Sequence, residues 1–223
     1  NALPPDVAVS RKDQHFLEAH WGIDIGAEAL TRHLVELTQS QGILATHSRL
    51  WLDLNRSLDR TDLIRPETEG HYLSFNQQVD AGEQQRRIDT VYHPFHQAYD
   101  ALVKERVSKQ PPVLLISIHS FTPVWDGKVR SMDVGVLFDT CAELGQQLAT
   151  CIAKQDLFVE CNAPYTGRGG LMHSVEDKGR RHQCTHLELE INQALICTPE
   201  RQRFIAKKIH RALIELKQSV VNF

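Results

Sequence analysis

With 223 residues, 41% of them apolar and 24% charged, the chain has the size and make-up of one large globular domain. Its 25 basic residues against 28 acidic ones leave a formal charge of −3, which argues against a nucleic-acid footprint and against a disordered tail. The longest uninterrupted apolar run, Val113 to Ile116, falls far short of the roughly 20 residues of a membrane span. Cys141, Cys151, Cys161, Cys184 and Cys197 are odd in number and form no C-x-x-C pair, so neither a disulfide framework nor a zinc finger is suggested. A reducing cytoplasm is the expected compartment. The sequence opens at Asn1 without a secretory leader, so a processed chain, or one continued upstream, is expected.

In chain order, Asp24 to Gln41 reads as a helix, capped by Asp24, with Ala29, Leu30, Leu34 and Leu37 at helical spacing and Gly42 as its stop. Ile43 to Asp53 reads as a buried strand that delivers Asp53, Asn55 and Arg56 at its end. Residues 57–82, with Pro66, Gly70 and Gly82 among many charges, read as a long surface excursion. From Gln84 to Val107 a helix is expected, kinked at Pro94, which lacks a backbone donor.

Val113 to Ile118 reads as a buried strand ending at His119-Ser120, and Val134 to Phe138 as another. The capping box Thr140-x-x-Glu143 announces a helix to about Lys154. Leu157 to Cys161 is a further strand, and Asn162 to Gly170 a turn-rich loop. His186 to Asn192 alternates strictly, placing His186, Glu188, Glu190 and Asn192 on one face and Leu187, Leu189 and Ile191 on the other. The last helix starts at Thr198-Pro199 and is expected to bury Phe204, Ile205, Ile209, Leu213 and Leu216. Strands alternating with helices give an α/β fold, a three-layer αβα sandwich with a mostly parallel mixed sheet in a single domain, whose sites form at the carboxyl ends of the strands.

His119 carries the most information, because an apolar strand presents its imidazole at the sheet rim, where it reads either as a metal ligand or as a half-buried histidine bonded to a backbone carbonyl. Glu188 and Glu190 share one strand face. Carboxylates in a sheet interior need a cation or a catalytic task, whereas on an outward face they are solvated. Asp53-Leu54-Asn55-Arg56 offers a guanidinium able to clamp a carboxylate through two parallel hydrogen bonds, or to form an internal ion pair. His93 and His96 lie three residues apart near the kink, close to substrate or on the helix surface.

In order, His20-Trp21-Gly22-Ile23-Asp24-Ile25-Gly26, Ser48-Arg49-Leu50-Trp51-Leu52-Asp53-Leu54-Asn55-Arg56, Tyr92-His93-Pro94-Phe95-His96, Ile118-His119-Ser120-Phe121, Asn162-Ala163-Pro164-Tyr165 and Leu189-Glu190-Ile191-Asn192 resemble the N-formylglutamate amidohydrolase family. That family is similar in fold to the zinc carboxypeptidases. The resemblance implies a zinc-dependent hydrolase of linear amides acting on a small N-acyl amino acid, with His119 and Asp24 as metal ligands and Glu190 as general base. It implies substrate contacts from Asn55, Arg56, Arg49, Tyr165, Asn162 and His96. The family pattern begins with H-G-G-N-x-x-P, whose histidine is a zinc ligand; this sequence opens at Asn1-Ala2-Leu3-Pro4, so the first ligand is expected upstream. Two rival readings stand beside it: a binding module on the same scaffold without hydrolysis, and a thiol hydrolase using Cys161 or Cys184.

Overall fold

Most of the strand and helix signals in the sequence are realised close to where they were read, the strand expected over residues 43–53 excepted. The computed structural model describes residues 2–219. Its elements are α1 (Arg11–Glu18), α2 (Ala27–Thr38), β1 (Glu67–Thr68), β2 (His71–Tyr72), α3 (Ala81–Arg87), a π-helical turn (Ile88–Tyr92), α4 (His93–Lys109), β3 (Leu114–Phe121), β4 (Val124–Trp125), β5 (Lys128–Val129), β6 (Val134–Leu137), α5 (Ala142–Ala153), β7 (Val159–Cys161), α6 (His173–His182), β8 (Thr185–Asn192) and α7 (Pro199–Ser219). The described residues group into two compact units. One holds the described residues up to Ile23 with Ile43–Ala101, the other Asp24–Gly42 with the described residues from Leu102 on.

The second unit is built on a four-stranded sheet of order β3-β8-β6-β7, parallel between β3 and β8 and between β6 and β7, antiparallel between β8 and β6. It is a mixed α/β fold with a central mixed sheet flanked by helices, as the strand-helix alternation implied. Val134, Val136, Leu187, Leu189 and Ile191, all with 0% exposure, meet Leu30 and Leu34 of α2, Leu148 and Ile152 of α5, and Ile205, Ile209, Ala212 and Leu216 of α7. Each large aliphatic side chain sunk there contributes about 1.5–3 kcal/mol. On the other face α6 packs on β8 and β3. That approach requires Gly179, because a Cβ there would lie 2.1 Å from Nδ1 of His186.

Several expectations are corrected in this unit. Helix α2 begins after Gly26, whose φ of 80° serves as the cap, so Asp24 is not an N-cap, and the helix stops at Gln39 rather than Gly42. The Thr140 capping box does not form; α5 starts after Cys141 with no side-chain cap. Strand β3 continues through His119 to Phe121, because β8 pairs with it residue for residue, His119 opposite Glu190 and Phe121 opposite Asn192. On α7, Phe204 is exposed, since the apolar stripe runs through Ile205, Ile209 and Leu216. Helix α6, rich in charge and interrupted by Gly179, carries too faint an apolar period to be read.

The first unit contains no strand over residues 43–53. That segment is turns and an isolated bridge between Ala2 and His47. Its apolar residues Trp51, Leu52 and Leu54 are buried with Leu63, Ile88, Val91 and Tyr92, while Leu50 packs with Leu17 and Leu73. Burial made the run apolar, and without period it said nothing about conformation. Along residues 81–109 the helix is unbroken, with the π turn just before Pro94, where the His93 N–H reaches back to the Ile88 carbonyl. A widened turn of this kind accommodates a proline by relaxing the i−4 ladder. No described helix is long and apolar enough to cross a membrane.

Candidate active site

In the second unit, three carboxylates surround one imidazole. Oδ2 of Asp24 lies 2.6 Å from Nδ1 of His119, and Oε2 of Glu188 lies 3.4 Å from its Nε2. Glu190 is the cross-strand partner of His119. The strict alternation of β8 explains the cluster: the odd positions fill the apolar layer, and His186, Glu188, Glu190 and Asn192 are driven to the opposite face. That face is not solvated, for Glu188 is only 2% and Glu190 6% exposed. Burial acts to lower the His119 pKa, yet the charges of Glu188, Asp24 and Glu190, with the Asp24 hydrogen bond, raise it to about 10. The surrounding carboxylates thus favour the protonated form of the ring, whose Nδ1 faces Asp24.

The backbone holds this cluster tightly. Gly135 of β6 stands opposite Glu190, and a Cβ there would come 1.9 Å from the Ala163 carbonyl oxygen and 3.3 Å from Cβ of Glu190. Only glycine lets the loop after β7 cross behind Glu190. Asn162, in that loop with φ 53°, accepts at its carboxamide oxygen from the N–H groups of Phe138 and Gly167, both at 3.0 Å, so it shapes the loop that presents Tyr165. Tyr165 is 38% exposed, with its ring centroid 5.6 Å from Cζ of Arg130.

In the first unit, the segment 49–56 is an irregular stretch whose buried carbonyls find side-chain donors in place of a ladder. Asn76 donates to Leu50 (2.7 Å), Arg87 to Trp51 (2.9 Å), His96 to Leu54 (3.1 Å) and Tyr92 to Arg56 (3.0 Å). The Tyr92-to-His96 motif thus braces the Asp53-to-Arg56 segment. His96 is buried and its ring lies 4.1 Å from that of Tyr92, whereas His93 is on the helix surface, 3.8 Å from Asp89. Asp53 Oδ1 accepts from the Asn55 N–H, closing the turn that presents Asn55 and Arg56. Arg56 donates to Asp62 (3.1 Å) and to the carbonyl of Asn55 (3.0 Å). Arg49 lies 4.0 Å from Asp53. Sequence reasoning missed the bracing roles of Asn76 and Arg87, which belong to no motif it used.

Imidazole nitrogen beside carboxylate oxygen is donor chemistry that zinc takes, and Asp24 with His119 supplies two such donors side by side. Glu188 places a carboxylate oxygen 3.4 Å from the second ring nitrogen of His119, at ion-pair rather than hydrogen-bond distance. Among the described residues no group of three or more such side chains is arranged to hold a metal ion. The residues present therefore suit zinc in donor type. Partial desolvation of the exposed Cys161 and burial of Cys184 push their thiols up, away from the thiolate that nucleophilic attack needs.

A family model for N-formylglutamate amidohydrolase matches residues 1–197. The crystal structure of a gene product from Agrobacterium tumefaciens superimposes with a TM-score of 0.86 at 27% identity, covering 92% of this chain and 81% of that one. A crystal structure of N-formylglutamate amidohydrolase from Ralstonia eutropha gives a TM-score of 0.69 at 19% identity, covering 87% and 83%, a likeness of fold. No curated protein sequence matches the chain significantly.

Proposed function

The chain belongs to the N-formylglutamate amidohydrolase family, and from that premise we propose that it is a metal-dependent hydrolase cleaving the amide of an N-acyl amino acid such as N-formylglutamate to formate and the free amino acid. The observation that carries this reading is the cluster in which the buried Glu188 and Glu190 and the half-buried His119 share one polar face of the sheet, with the half-buried Asp24 against His119 from the segment before α2. Burying two carboxylates beside a single imidazole costs several kcal/mol per ion in general, and groups perturbed in this way cluster at functional sites.

Asp24 and His119 Nδ1 would hold a divalent ion, zinc by donor type, which when bound supplies Lewis acidity and a water of lowered pKa. Glu188 sets a carboxylate charge 3.4 Å from Nε2 of His119. A carboxylate oxygen of Glu190 takes the proton of the attacking water and returns it to the leaving amine nitrogen. Asn55 and Arg56 are assigned the substrate carboxylate on the family resemblance. Five free thiols support a reducing, cytoplasmic setting. The test is formate release from N-formyl-L-glutamate by purified protein before and after chelation, and again after zinc is restored. Turnover that disappears and returns supports the reading; turnover indifferent to chelation contradicts it.

A further inference from the structure

We propose that Arg130, framed by Phe121, Trp125 and Tyr165, is a recognition residue for the side-chain carboxylate of an acidic N-acyl amino acid; the inference rests on the hydrolase reading above and extends it to the substrate side chain. Arg130 is half-buried, and its guanidinium bonds only at the long limit, to the carbonyl oxygen (3.5 Å) and hydroxyl (3.4 Å) of Thr122. Among the described residues no carboxylate pairs with it. Three aromatic rings surround it instead, their centroids 5.8 Å (Phe121), 5.3 Å (Trp125) and 5.6 Å (Tyr165) from Cζ. A guanidinium in such a frame is partly desolvated and fixed in orientation, with its fork of donors unsatisfied by an anion.

The place of Arg130 in the fold ties it to the chemistry. Phe121 follows His119 by two residues on β3 and so shares its face, and Asn192 stands in the same relation to Glu190 on β8. The Asn192 carboxamide donates to the carbonyls of Arg130 (3.4 Å) and Met132 (3.0 Å), and the Arg130 N–H donates to Pro123 at 2.8 Å. The base of the β4-β5 hairpin is thereby fastened to the end of the strand that carries Glu190. Trp125 and Tyr165, at 43% and 38% exposure, leave ring surface open to a ligand beside the guanidinium. A planar carboxylate, bound through two parallel N–H donors and flanked by aromatic rings, is the anion that fits. In an N-acyl amino acid with an acidic side chain, the side-chain carboxylate is thus the group this guanidinium recognises.

The experiment compares kcat/KM for N-formyl-L-glutamate and N-formyl-L-glutamine in wild type, Arg130→Gln and Arg130→Lys. The expected result is a wild-type preference for the diacid that falls about 100-fold in Arg130→Gln and is partly kept in Arg130→Lys. A preference unchanged in Arg130→Gln, or both substrates lost in proportion as a purely structural role would give, overturns the assignment. If wild type turns over neither substrate, the hydrolase reading has failed. Arg130 is then judged by calorimetry with glutarate: weaker binding by Arg130→Gln than by wild type upholds it, and equal binding, or none by wild type, overturns it.

Discussion

Replacing Arg87 by methionine tests whether the segment presenting Asn55 and Arg56 is held by side chains rather than by a ladder. Arg87 is 1% exposed and lies 3.4 Å from the centroid of the Trp51 ring. It donates to Glu83 (2.8 Å), to the carbonyls of Trp51 (2.9 Å) and Phe75 (2.7 Å), and to the carboxamide oxygen of Asn76 (2.6 Å). Methionine fills part of the volume but offers no donor, so two carbonyls and one carboxamide oxygen lose a partner. Each buried orphan costs roughly 1–3 kcal/mol, and because losses within one network are not additive, the whole comes to about 3–5 kcal/mol. With a urea slope of about 2–3 kcal/mol/M for a chain this size, the midpoint falls by roughly 1–2 M. The assay is urea unfolding followed by tryptophan fluorescence, to which Trp51 reports directly. The same variant carries a pH signature. Hydrogen bonds from Arg86 and Arg87 outweigh burial and hold Glu83 at about 2, below its ordinary 4.5. A depressed pKa lends stability that is present above pH 4.5 and lost as the pH falls toward 2, so acid destabilisation is shallower in Arg87→Met. A midpoint shift worth less than about 1 kcal/mol, with an unchanged acid limb, refutes the argument.

Gly135→Ala forces the Ala163 carbonyl away from β6 and shifts Glu190, so stability drops by about 1–3 kcal/mol and kcat falls more than KM rises, read by thermal melts and steady-state kinetics. In metal-free protein the raised pKa of His119 lends stability that is full below pH 6.5 and lost as the pH climbs through about 10. Glu188→Gln, which removes the largest raising charge, lowers that pKa and flattens this alkaline loss, as histidine-selective NMR titration and melts between pH 6 and 10 would show. Alkylating the exposed Cys161 leaves hydrolysis intact; loss of activity in step with its modification would restore a thiol mechanism.

The polar face of β8 was legible in the sequence because period-2 alternation is a direct record of a strand between an apolar layer and something else. Its partner His119 was legible because the strand before it is apolar throughout. What alternation could not show was whether Glu188 and Glu190 faced solvent, a question of which helices cover the sheet, and α6 covers it with hardly an apolar stripe. Residues 43–53 misled for the converse reason: they are buried, but by side chains of α3 and the helical residues after it rather than by a neighbouring strand. Asp24 was read both as a cap and as a ligand, and Gly26 decides against the cap by taking that place itself. Arg130 escaped notice because its meaning lies in three rings distributed along the chain and in the absence of an acidic partner among the described residues.

The most direct test of the central claim is formate release from N-formyl-L-glutamate by Glu190→Gln protein supplied with zinc, beside wild type under the same conditions. Glutamine keeps the shape of the side chain but cannot accept the water proton. The account predicts a loss of kcat of about 10²- to 10⁴-fold with the fold retained. Full turnover by Glu190→Gln would contradict it.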